Sequence, residues 1–322
     1  MNYFAIGEII REFRTRANIK QAQLCEGLCE PPTLCKIENG RQNPNKKLLD
    51  ALIEKLQIPI TLNVVATKQE LERCILEKEI SNKIYTDDFD NIQGLLEQYE
   101  KISPEMNKFE KQYLLYAKSA YAYQVEDKYK ETLSTLIEAM KLTFPNYEIE
   151  CDIQEHLFTS IEFSLLNSIA ICLHGSGQIE KGIGVLEKLA YCLETRYSKS
   201  DMYINKYPTI TYNLSSWLGL VKQWSKSLVY TQKSIDCCIK QQNYFLLADL
   251  YYNHGFTLVM LGKTREGTEY LTKSLTLGSL FKNHFDLSLS IADIKEHFGE
   301  DFYSAIATDT GSFTAINNFD KG

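Results

Sequence analysis

One pattern recurs five times between Ile80 and Ser274, and it leaves few folds open to the chain. Each unit has a small or apolar residue, an aromatic or apolar one three places on, another hydrophobic six or so beyond, then a stripe at +3, +7 and +10. The units are Ile80, Lys83, Phe89, Ile92, Leu96, Tyr99; Ala120, Tyr123, Tyr129, Thr132, Leu136, Ala139; Ala170, Leu173, Ile179, Gly182, Leu186, Leu189; Ser215, Leu218, Trp224, Ser227, Thr231, Ser234; and Gly255, Leu258, Thr264, Gly267, Leu271, Ser274. Their starts lie 40, 50, 45 and 40 residues apart. A period of that length fits pairs of helices with lengthened second helices or loops. One pair cannot bury its apolar face alone, so the units must stack. Gln69 to Tyr85 reads as a helix with Leu71, Ile75 and Ile84 on one side, and Asn283 to Phe302 as a single capping helix. Ala307 to Gly322, polar and rich in Gly, Thr and Asn, reads as a loosely held tail.

The stretch before the repeats follows other rules. Ile6, Ile9, Ile10 and Phe13 stand at i, i+3, i+4 and i+7 of an amphipathic helix. Gln21 to Leu28 gives a second short stripe from Leu24, Cys25 and Leu28, followed at once by a tight turn. Pro31 and Pro32 are tolerated in the first turn of a third helix, which carries Thr33, Leu34, Lys36 and Ile37 and closes at Gly40. Asn45 reads as the N-cap of a fourth helix with Leu48, Leu49, Leu52, Ile53 and Leu56 inward. Pro59 ends it, and Ile60 to Thr67 is the connector. Short helices joined by a tight turn make a helix-turn-helix, whose second helix lies in the DNA major groove.

Two resemblances follow from these residues. The run Gln23 to Pro44, QLCEGLCEPPTLCKIENGRQNP, resembles the Xre-type helix-turn-helix, especially the form in peptide-pheromone-responsive (PlcR- and Rgg-like, RRNPP) regulators with their Leu…Lys-Ile-Glu-Asn-Gly…Asn-Pro frame. It departs from the general pattern in three ways. The turn is one residue short, Lys20 stands where a hydroxyl cap is usual, and Glu30-Pro31-Pro32 occupies the leading end of the recognition helix. The repeats resemble the tetratricopeptide repeat, supported by Pro104 at the closing-proline position of the first unit and Pro145 one residue beyond it in the second. Together they imply an all-α chain: a helix-turn-helix at 1–62, a linker at 63–70, a right-handed tetratricopeptide-like α-solenoid at 71–302 and a tail at 303–322.

The net charge of −7 seems wrong for a nucleic-acid binder until it is divided. Residues 1–60 hold nine Lys or Arg against seven acids, a balance of +2, and the remainder carries −9. The acidic part is therefore the part that need not touch phosphate. A head of +2 is weakly attracted to DNA, and two heads double the attraction, so a homodimer through the repeat domain on a palindromic operator is expected. No apolar run approaches the roughly 18 residues of a membrane span, and the N-terminus lacks the layout of a secretion signal, so a cytoplasmic protein with no membrane partner is expected. The nine cysteines are odd in number and lack Cys-x-x-Cys spacing, so reduced, mostly buried thiols are expected, without metal or cofactor.

For contact with double-stranded DNA the sequence offers Gln21 and Thr33 near bases, Lys36 at base or phosphate, and Arg14, Arg41 and Lys46 on the backbone. The tetratricopeptide resemblance makes the first helix of each hairpin the groove lining, with an inward position two residues before each small residue. Asn213 and Asn253 stand there, each after a tyrosine, Tyr212 and Tyr252, while Asn167 lies one place earlier in its own unit. An asparagine amide donates and accepts at once, which matches the backbone of a short linear peptide. Phe256 joins Tyr212 and Tyr252 as a candidate pocket residue.

Catalysis finds little support. His174-Gly175-Ser176-Gly177 looks like a nucleophile loop, yet it falls where a hairpin turn belongs and no strand precedes it. The reading is a DNA-binding transcription regulator controlled by a short signalling peptide, and not an enzyme. A repeat scaffold tethered to DNA and a ligand-independent repressor are the alternatives.

Overall fold

In a computed structural model of the chain, which describes residues 3–58, 68–102, 105–280 and 285–309, every regular element is a helix. The chain divides into two compact units, Met1–Ser200 and Asp201–Gly322.

The first unit opens with four short helices, α1 (Tyr3–Arg16), α2 (Gln21–Cys25), α3 (Pro31–Glu38) and α4 (Lys46–Lys55). Ile6, Ile10, Leu24, Leu34, Ile37, Leu48, Leu49 and Leu52 close one apolar core, as the stripes required. Asn45 caps α4, its Oδ1 accepting from the Leu48 amide at 2.8 Å. Three hairpins follow: α5 (Lys68–Tyr85) with α6 (Ile92–Ile102), α7 (Lys108–Val125) with α8 (Tyr129–Lys141), and α9 (Ser160–Gly175) with α10 (Ile179–Arg196). The second unit pairs α11 (Asp201–Leu220) with α12 (Trp224–Gln241), α13 (Leu247–Met260) with α14 (Thr264–Leu280), and α15 (Leu287–Phe298) with α16 (Glu300–Asp309). The fold is all-α, a helix-turn-helix followed by tetratricopeptide-like hairpins.

The repeat register holds in detail. The first two positions of each unit sit on its first helix and the stripe lies along its second. Even the polar stripe positions are buried, because a short hydroxyl satisfies itself on a nearby carbonyl. Ser227 Oγ donates to Ser215 O at 2.9 Å, Thr231 Oγ1 to Ser227 O at 3.0 Å, and Ser274 Oγ to Ala248 O at 2.7 Å. Where α13 crosses α14 the small residues are obligatory: a Cβ on Gly267 would lie 2.8 Å from Gly255 O, and one on Gly255 would lie 2.9 Å from Gly267 O.

The hairpin turns share one backbone device. Asp87, Asp127, Gly177, Lys222 and Gly262 are all left-handed, with φ of 52°, 52°, 81°, 60° and 78°, and each stands two residues before the third position of its unit. The His174–Gly177 run is thus a hairpin turn, with Gly177 at its left-handed position.

Three expectations are corrected. Ile75 does not share an inward face of α5; it is exposed, and Leu76 and Ile80 are buried instead. The single capping helix is two, α15 and α16, broken at Gly299 with φ +90°. Residues 303–309, assigned above to the tail, belong to α16. Pro59, the connector Ile60–Thr67, the Leu71 side chain, Pro104, Asn283 and residues 310–322 lie outside the described residues.

The wide spacing between the second and third repeats has a structural cause. The connection from Leu142 to Thr159 buries Phe144, Tyr147, Ile153, His156, Leu157 and Phe158. His156 stacks on Phe144 with ring centroids 3.9 Å apart, and Leu157 reaches into the core of the N-terminal head. The extra residues form the seat on which α1–α4 rest.

The turn device yields a direct test. No atom lies within 4 Å of a Cβ built on Gly177 or Gly262, so alanine there should act through the backbone alone. Gly262→Ala should cost about 1 kcal/mol in urea unfolding, and Lys222→Gly should cost nothing.

Candidate nucleic-acid interface and peptide-contact residues

The N-terminal head is organised by one buried acid. Glu38 ends α3 on the same face as Leu34 and Ile37, and its carboxylate takes Arg14 Nε at 2.6 Å, Arg14 Nη2 at 3.0 Å and Gln21 Nε2 at 2.7 Å. The Glu38 side chain is 2% exposed and that of Arg14 15%. Arg14 also donates through Nη1 to Ile19 O at 3.0 Å. The arrangement brings Arg14 and Gln21 together, turned inward onto a residue that the DNA-contact reading had passed over. Its sequence signal was an acid in phase with the apolar stripe of α3, one place after Ile37.

The outward face of α3 is different. Pro31, Pro32, Cys35, Lys36 and Asn39 are exposed, Thr33 is half-buried, and Arg41 is exposed just beyond Gly40. Lys46, at the start of α4, places its ammonium 2.9 Å and 3.1 Å from the two oxygens of Asp50.

The head is held against the repeats of its own unit by polar contacts at several points. Glu54 Oε2 accepts from the Ser160 amide at 2.8 Å, so a carboxylate of α4 sits on the amide-rich start of α9, where negative charge is favoured. Lys47 Nζ lies 2.5 Å and 2.6 Å from the oxygens of Glu77 on α5. Gln57 Nε2 donates to Arg196 O at 3.1 Å, and Lys108 Nζ donates to Gly27 O. Gly27 approaches the seat so closely that a Cβ would stand 1.4 Å from Thr143 O.

At the centre of that seat lies Glu162, fully buried on α9. It accepts from the Thr159 amide at 2.7 Å, Thr159 Oγ1 at 3.0 Å, Thr143 Oγ1 at 2.7 Å and His156 Nε2 at 3.2 Å. Burial pushes its pKa up, but the hydrogen bond from His156, the charge of Lys55 and the Thr159 amide outweigh burial and hold it at about 2. Lys55, itself buried on α4, donates to Glu26 O at 2.9 Å; burial lowers its pKa against the fields of Glu162 and Glu26.

The peptide candidates separate into two kinds. Asn167 on α9, Asn213 on α11 and Asn253 on α13 are all half-buried. Asn253 Nδ2 donates to Ser216 Oγ at 2.8 Å and Ser215 Oγ at 3.3 Å on the neighbouring α11. Tyr212 packs into the core between α12 and α13. Tyr252 donates through its hydroxyl to Asp293, and Phe256 packs on Phe298 with centroids 4.9 Å apart, so both serve the packing of α13 on α15. Among the described residues no group of His, Cys, Asp and Glu is gathered for a metal ion, and no helix is long and apolar enough to cross a membrane.

This geometry meets its counterpart in known proteins. Residues 73–281 match the RNPP family C-terminal domain, and residues 10–63 match a helix-turn-helix family. The chain belongs to the RNPP family. No curated protein matches its sequence. Among solved structures it is similar to Bacillus thuringiensis PlcR in complex with the peptide PapR7 and DNA, at 20% identity and a TM-score of 0.54 over 84% of this chain and 94% of that one. It is also similar to the apo form of the same protein, at 16% identity and a TM-score of 0.53 over 90% and 99%. That likeness of fold extends over nearly the whole length of both PlcR chains.

The Glu38 cluster predicts a structural phenotype. Arg14→Ala leaves a buried carboxylate with Gln21 alone and should cost about 3 kcal/mol in chemical unfolding, whereas Arg14→Met with Glu38→Met should recover much of that loss.

Proposed function

We propose that this RNPP-family chain is a cytoplasmic transcription regulator that binds double-stranded DNA through its head and a short linear peptide through its hairpins. It acts by binding and catalyses no reaction. The single observation that carries this reading is the union of the helix-turn-helix with the first three hairpins in one compact unit, centred on Glu54, Lys55 and Glu162. A ligand that shifts the hairpins then acts on the DNA-reading helix through fixed contacts rather than through a slack tether. PlcR, the structural relative solved with peptide and DNA, supports the pairing of the two ligands.

Residues 1–62 serve as the DNA-binding part and residues 71–302 as the sensor. Two copies joined through the repeat region present two heads to a palindromic operator, which compensates for the small charge of each. Lys36 and Arg41 are the exposed cations assigned to DNA, with Thr33 beside them and Lys46 at the rim. Arg14 and Gln21 act by holding α3 in place. Asn167 in the first unit and Asn213 and Asn253 in the second are each assigned to peptide backbone, and within the second unit Tyr212, Tyr252 and Phe256 support the helices that carry the latter two.

Calorimetry with short synthetic peptides taken from small open reading frames beside the gene tests the sensor. Saturable binding, weakened about tenfold by Asn213→Ala, is expected. Peptides that neither bind nor change the affinity for DNA would overturn it. On the DNA side, Lys36→Ala should lower the slope of log affinity against log salt by about one, and an unchanged slope would remove Lys36 from the interface.

A further inference from the structure

The leading end of α3 is an unusual surface for a recognition helix. In a helix-turn-helix the first residues of the second helix face the base edges. Here those residues are Pro31 and Pro32, followed one turn later by Cys35, all exposed, while Leu34, Ile37 and Glu38 point into the head. Proline has no backbone N–H to donate and a ring that is wholly apolar; a thiol is at best a weak donor. Apart from Thr33, half-buried, and Lys36, exposed, the polar side chains around them are already committed. Glu38 holds Arg14 and Gln21, and Asn39 Nδ2 is turned back onto Cys35 O at 2.7 Å and Cys35 Sγ at 3.5 Å. Glu30, exposed just before the helix, caps nothing with its side chain and only accepts.

Base edges in the major groove sort against such a surface. Guanine shows two acceptors, adenine an acceptor and an amino donor, and cytosine an amino donor; thymine alone adds a methyl group. A carboxylate followed by two prolines has no side-chain donor for the purine acceptors; Glu30 can accept only from an amino group of cytosine or adenine, and the two prolines meet the groove through carbon alone. Resting on the DNA-binding reading above, we infer that the leading end of α3 reads thymine through its C5-methyl group, with Pro32 and Cys35 as the contact surface. Lys36, next on the same face, then supplies the donor for an adjoining guanine or phosphate. The chemistry gives this head a thymine-bearing half-site whose specificity comes from apolar contact more than from bidentate hydrogen bonds.

The test begins with the full-length protein and a selection from random duplexes. The preferred duplex is remade with deoxyuridine in place of thymine, one position at a time, which deletes the methyl and keeps Watson–Crick pairing. One buried methyl is worth about fourfold in affinity, so one or two positions in each half-site should weaken binding by roughly threefold to fivefold. In Pro32→Ser and in Cys35→Ser, both exposed substitutions on an intact core, the uracil penalty at one of those positions should shrink toward none. Sequence-specific binding that is indifferent to every uracil would overturn the thymine reading and leave the DNA-binding one standing. A pool from which no sequence is enriched would overturn both.

Discussion

A carboxylate with no exposed surface, Glu162, is the point on which the first unit turns. Its oxygens gather the start of α9 through Thr159, the connection after α8 through Thr143 and the stacked His156, and the fourth helix of the head through the charge of Lys55. Gln112 of α7 joins the same network, its Nε2 donating to Thr143 Oγ1 at 2.6 Å. A buried charge is costly unless every partner is in place. That cost makes the docking of head on repeats an all-or-none arrangement: the partners come from the connection between α8 and α9 and from the head, and none satisfies Glu162 alone.

Glu38 repeats the logic on a smaller scale. It locks α1 and the start of α2 to the end of α3, so the helix assigned here to DNA is held from behind by charge while its outward face stays open. The same division of labour accounts for the two kinds of polar residue in the head. Arg14 and Gln21 are spent on architecture; Lys36 and Arg41 are exposed at the surface. The sequence offers all four for DNA contact, and the geometry separates the two turned inward from the two that are exposed.

Much of the fold was legible because the repeat positions report on packing, which follows period. Ile92, Leu96 and Tyr99, Leu136 and Ala139, and Leu186 and Leu189 are buried as their spacing demanded. Thr132, a poor match to its repeat position, is buried too, since a small hydroxyl can satisfy itself on the helix. The break at Gly299 was less legible: one left-handed residue divides a stretch whose apolar periodicity continues on either side. The roles of Tyr252 and Phe256 escaped for another reason. An aromatic at a groove-facing phase reads the same whether it meets a ligand or the protein's own next helix, and here α15 meets it. Nor does spacing disclose that Glu54, Lys55 and Glu162 converge, because charges more than 100 residues apart carry no period.

The most direct measurement is the pH dependence of unfolding for the wild type against Glu162→Gln. Glu162 titrates near 2 in the folded chain against 4.5 ordinarily, so its stabilisation is fully present above about pH 4.5 and is lost as pH falls toward 2. The account predicts that the stability advantage of the wild type over the variant shrinks by about 3 kcal/mol between pH 6 and pH 2. Parallel curves for the two proteins across that range would contradict it.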